Sequence, residues 1–137
     1  MAIDRPSLQA LLVCEMVIED ITTRNKSIIG TFTHILAPGF PCIRPQMGVY
    51  FCITDAEGAY EFRLDLVHIT TNQIVGRATI SGVTINDRLA ISDFGVMLSP
   101  VQFPAQGRYE FRLYANNAFI GNKDFNVIQQ PNPAGDA

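Results

Sequence analysis

Tryptophan is absent from this chain, histidine occurs twice and cysteine three times. Each scarcity removes a class of chemistry. His34 and His68 have no Cys or His partner at zinc-site spacing, so neither a metal nor a cofactor is expected. Cys14, Cys42 and Cys52 are odd in number and widely spaced, which argues against a secreted disulfide framework. Cys14 and Cys52 lie in apolar runs, where a free thiol behaves as a small hydrophobe. Charged residues make up 17% of the chain, the net charge is −3 and no basic stripe is visible, so no nucleic-acid partner is expected. No apolar run approaches the ~20 residues of a membrane helix. The run Leu11, Leu12, Val13, Cys14 resembles a lipoprotein cleavage site, but Val precedes the cysteine and Asp4, Arg5 and Pro6 stand where a basic start and an apolar core belong. The cytoplasm is therefore the expected compartment, without membrane contact.

Catalytic signatures are equally scarce. There is no Gly-x-Ser-x-Gly turn, and Asp93-Phe94-Gly95 spells a kinase motif without the glycine-rich loop or lysine strand that give it meaning. Asp55, Glu57, Asp87 and Asp93 fall near turns, at spacings that match no calcium loop. No catalytic residue is assigned.

The dominant positive feature of the chain is period-two alternation. In Gly107-Arg108-Tyr109-Glu110-Phe111-Arg112-Leu113 the apolar Tyr109, Phe111 and Leu113 alternate with charged residues, as a strand buried on one face requires. The phrase echoes Gly58-Ala59-Tyr60-Glu61-Phe62-Arg63-Leu64. Each copy leads through a turn into a return strand that reaches an apolar-Gly pair, Val75-Gly76 or Ile120-Gly121. The first hairpin is four residues longer, which is two per arm and preserves the inward face. Residues 59–82 and 107–128 are expected as antiparallel hairpins with Tyr60, Phe62, Tyr109 and Phe111 buried.

The fold class implied is all-β: an antiparallel β-sandwich of about eight strands in a single domain over residues 1–128, with a polar, Pro-rich, disordered tail over 129–137. The strands are read at 8–19, 27–37, 47–54, 59–70, 73–81, 88–98, 107–115 and 119–128. The first is apolar on both parities, and a buried helix is its rival. The segments 38–45 and 99–106 hold five prolines between them and read as loops. In 88–98, Leu89 and Ile91 lie on one face and Phe94, Val96 and Leu98 on the other, so a bulge near Ser92-Asp93 is expected.

These residues carry two resemblances. Val96-Met97-Leu98, a Pro-containing loop and Gly107-Arg108-Tyr109-Glu110-Phe111 resemble the E–F corner of immunoglobulin-like and fibronectin-like sandwiches, in which a Tyr hydroxyl returns to the backbone a few residues upstream. Tyr109 takes that place, although Phe111 stands where an antibody-type domain has Cys. The whole chain is similar to small bacterial β-sandwich proteins of unknown function, through Ser27-Ile28-Ile29-Gly30-Thr31-Phe32, the Phe40-Pro41 loop and the Phe103-Pro104 ending. The resemblance implies an immunoglobulin-like or C2-like sandwich and carries no site residues.

The function expected is a non-catalytic interaction or structural module that self-associates as a homodimer or meets a protein partner. A sandwich that binds a small ligand or carbohydrate through its end loops is the alternative, which the absence of Trp disfavours; an enzyme with an unrecognised site is the other. Phe40, Ile43 and Arg44, bulky or charged residues in a loop, are the candidate contacts. For self-association, Leu8, Ala10, Leu12, Cys14, Met16 and Ile18 should face the core, leaving Leu11, Val13 and Val17 for a second copy.

Overall fold

The computed structural model describes residues 5–131, and the tail expected over 129–137 lies mostly outside the described residues. Eleven strands occur in order: β1 (Ser7–Glu19), β2 (Lys26–Thr31), β3 (His34–Ala37), β4 (Cys42–Arg44), β5 (Met47–Thr54), β6 (Gly58–His68), β7 (Gln73–Ile85), β8 (Ser92–Leu98), β9 (Val101–Phe103), β10 (Gly107–Ala115) and β11 (Ala118–Gln129). They form a four-stranded sheet β2-β1-β5-β8, a five-stranded sheet β3-β11-β10-β6-β7 and a two-stranded ribbon β4-β9. All pairings are antiparallel except β11 with β3. The chain is all-β, as the alternation requires, and β1 is a strand.

The two echoing phrases lie side by side. β6 and β10 pair with Leu64 opposite Leu113, Phe62 opposite Ala115 and Phe111 opposite Leu66. This register places the two copies around a local twofold between the leucines. Both hairpins form, with Gly76 opposite Leu66 and Gly121 opposite Leu113. The four extra residues are not shared two per arm as expected: two lengthen β6 from Leu64 to Leu66, and two lie in the turn, which spans 69–72 in the first hairpin and 116–117 in the second. Asn116 and Asn117 both take positive φ, which a two-residue hairpin turn needs and Asn tolerates. Tyr60, Phe62, Tyr109 and Phe111 are buried. Each tyrosine closes a corner: the Tyr109 hydroxyl donates to the Ala105 carbonyl, and the Tyr60 hydroxyl donates to the Glu57 carbonyl at 3.1 Å.

Eight expected strands become eleven for local reasons. The segment 27–37 divides at Phe32-Thr33: β2 pairs with β1, while β3 crosses to pair with β11 in the other large sheet. The apolar parity already changes there, from Phe32 to Ile35, and Phe32 packs edge-on against Phe125 with ring centres 5.7 Å apart. The two Pro-containing loops each hold a three-residue strand, and these pair to set Cys42 and Phe103 in the core. No bulge rescues Leu89 and Ile91. β8 begins only at Ser92, and these residues are 83% and 74% exposed on the preceding loop.

Leu8 packs against the core as expected, but after it the faces of β1 are the reverse of those expected, with Cys14 buried on the outer side beside Gly48. Leu11 and Val13, expected to meet a second copy, are 8% and 2% exposed and belong to the core. The register moves from Leu8 opposite Ile53 to Ala10 opposite Cys52, so Gln9 is an extra residue and inverts the parity of the later part of the strand. Beyond Cys14, β1 leaves β5 and pairs with β2 alone. The β1–β2 hairpin curls across the outer side of β5 and β8. Val17 lies over Gly48 and Gly95, where a Cβ on Gly95 would stand 2.6 Å from Val17 Cγ1. The second apolar face of β1 is thus covered in part by its own continuation.

Candidate interaction surface

The two large sheets end on the same flank. β7 pairs only with β6 and β8 only with β5 among the described residues, so both present an unpaired edge. Between these edges run two adjoining hollows of about 750 Å³ and 340 Å³ that share Met97. The larger is lined by Ile80, Val83, Thr84 and Ile85 of β7 and by consecutive residues of β8. The smaller continues along Val75, Gly76, Arg77 and Ala78 to Val101. Consecutive residues from both strands mean that backbone, as well as alternate side chains, bounds the trough.

The two edges differ. β7 carries two extra residues relative to β6, one where Tyr60 and Phe62 face Val83 and Ile80, the other where Leu66 and Val67 face Gly76 and Ile74. Gly82 supplies a φ of +72° at the first. Bulges bend an edge and blunt further pairing. β8 runs in unbroken register against β5 from Ser92 to Leu98 and holds no proline, lysine or arginine.

A polar cluster closes one end of the trough. Lys26 Nζ lies 2.7 Å from Asp93 Oδ1 and 3.2 Å from Glu19 Oε1, and the Tyr50 hydroxyl donates to Asp93 Oδ2 at 3.0 Å. Burial pushes the Tyr50 phenol far up, and its bond to Asp93 adds to the shift. Burial also pushes the Asp93 carboxyl up, but the bonds from Lys26 and Tyr50 outweigh it and hold the carboxyl below its usual range. For Lys26, burial pulls the ammonium down and the two carboxylates more than compensate, leaving it raised. The cluster pins the β1–β2 hairpin to the start of β8.

By contrast, the charges on the outer side of the five-stranded sheet are paired with one another, although Arg63 Nε makes no hydrogen bond. Asp65 is buried, with Arg77 Nε at 2.7 Å and Arg63 Nε at 3.3 Å. The Arg63 guanidinium lies 4.3 Å over the Tyr114 ring, and Arg112 pairs with Glu110. A face closed by its own charges offers a partner little.

The residues singled out from the sequence are dispersed. Phe40 is half-buried against the core, and Ile43, on the ribbon strand just after the cis Phe40-Pro41 peptide, is 61% exposed. Arg44 is half-buried, and its Nε has no hydrogen-bond partner. Of the three β1 residues, only Val17 lies outside the core cluster. Sequence reasoning misses the trough because each of its strands, read alone, looks like any other half-buried strand. The one legible signal is the absence of proline, lysine and arginine from 92–98.

Residues 9–128, from β1 to β11, match the model of a family described as a family of unknown function, DUF6941. The chain belongs to the DUF6941 family. No curated protein matches it. In this DUF6941 member no group of three or more His, Cys, Asp or Glu among the described residues is placed to hold a metal ion. No helix among the described residues is long and apolar enough to cross a membrane. The matched span of the DUF6941 model includes both edges of the trough and the whole polar cluster at its end.

Proposed function

We propose that this DUF6941 protein is a non-catalytic interaction module whose contact surface is the trough between β7 and β8. The observation that carries this reading is the pair of unpaired sheet edges facing one another across a hollow of mixed polar and apolar lining. An exposed edge is a template for another strand, and the apolar part of the lining between two edges gives such a strand somewhere to place alternate side chains. We further read the fold as an immunoglobulin-like sandwich. The Tyr109 hydroxyl bonded to the Ala105 carbonyl, next to Pro104, supports that reading.

A photoreactive amino acid placed at Met97 or Val83, in the trough, should form covalent adducts with a protein in cells of the source organism. The same group at Asn122, on the charged outer side of the five-stranded sheet, should form none. Adducts from Asn122 alone, or none from the trough, would overturn the reading.

A further inference from the structure

We infer that the strand received in the trough is β8 of a second copy of this chain, paired antiparallel about a twofold axis at Gly95. The inference rests on the trough being the contact surface and names its occupant. Four strands end the two large sheets, and three are guarded. β3 has four residues, β2 carries Lys26 and a positive φ at Gly30, and β7 is bulged twice. β8 alone offers seven residues in regular register, and its one charge, Asp93, is tied to Lys26 of the same chain.

The sequence of β8 is self-complementary in that arrangement. Centring the axis on Gly95 pairs the whole strand: Phe94 meets Val96 of the second copy on the inner side, and Asp93 meets Met97 on the outer side. Any other centre leaves an end unpaired. The only charge on the strand is Asp93, which its own chain neutralises through Lys26 at 2.7 Å, so two copies meet without repulsion. Glycine at the axis lets the two backbones approach without a side chain on either. A twofold contact of this kind is isologous and closes on itself, giving a dimer and no fibre.

The register makes a charge test specific. Met97 is 41% exposed, so both a Glu and a Lys are tolerated by the fold, which unchanged thermal melting of the variants checks. In Met97→Glu, two new carboxylates face the two Asp93 across the axis. Sedimentation velocity should show dimer in the wild type. In Met97→Glu the dimer dissociation constant should rise about tenfold or more, since symmetry creates the repulsion twice. Met97→Lys places an opposite charge there and should leave the dimer constant within about threefold. Loss of the dimer in both variants, or in neither, would sink this pairing. Dissociation by Ile29→Lys alone would move the contact to the exposed hairpin side, where Ile29 faces Met16. A wild type that sediments as monomer while crosslinking from Met97 still traps another protein would overturn the second copy as occupant and leave the interaction module standing.

Discussion

At the scale of single residues, burial separates side chains that look alike in the sequence. Val13 and Val17 occupy the same parity four positions apart, yet Val13 lies in the core and Val17 lies over two glycines outside the sheet. A charge at Val13 would stand opposite Val49 within the core cluster, at a position only 2% exposed. Val13→Asp should therefore cost upwards of about 4 kcal/mol and leave the chain unfolded or aggregated. Far-UV circular dichroism and denaturant titration read this directly. A folded Val13→Asp protein with near-native stability would return that side chain to the surface.

At the scale of elements, the hairpin of β1 and β2 is held to β8 by apolar contact and by one charged cluster. The contribution of the cluster depends on pH in a defined way. Asp93 titrates below its usual value of about 3.9, so its contribution is present above that pH and is lost as pH falls through the lower folded value. Lys26 and Tyr50 titrate above their usual values, so theirs is present below about pH 10 and is lost as pH rises further. Lys26 and Asp93 are partly open to solvent, and screening keeps the total small. Thermal melting of Asp93→Asn should lie below that of the wild type near neutrality and converge with it below about pH 4. A gap that stays constant as pH falls well below that value would remove Asp93 ionisation as the cause. The rest of the hold on the hairpin is geometric, through the missing side chains at Gly48 and Gly95.

For the molecule as a whole, both large sheets and the ribbon supply one core cluster, in which the rings of Phe51, Phe62 and Phe94 from the two sheets lie within 5.5 Å of one another by ring centres. A shared core predicts one cooperative unfolding transition, seen at the same midpoint by tyrosine fluorescence and by far-UV circular dichroism. Phe111 is fully buried against Phe125, and Phe111→Ala should lower the stability by about 3–5 kcal/mol while keeping the two probes coincident. Separate midpoints would mean that the sheets unfold independently. The local twofold between β6 and β10 gives the centre of the five-stranded sheet its regularity, and the irregular strands gather at its edges and at the ribbon.

Alternation alone determined the all-β class, the two central hairpins and the burial of their tyrosines and phenylalanines, because a period of two is a local property that burial on one face imposes everywhere along a strand. Turn chemistry at Asn116-Asn117 was local in the same sense. The faces of β1 were not, since one extra residue at Gln9 inverts every side chain after it, and an extra residue exists only relative to β5. Nor was the division of 27–37 between two sheets, since its two halves are told apart only by their partners, β1 and β11. The trough lay furthest from the sequence. β7 and β8 are joined by a loop and pair with different neighbours, and whether a strand ends a sheet is decided by the partners of all the others. Only the tertiary structure puts two unpaired edges on the same flank, and it is the facing of those edges, rather than any residue in them, that makes a surface there.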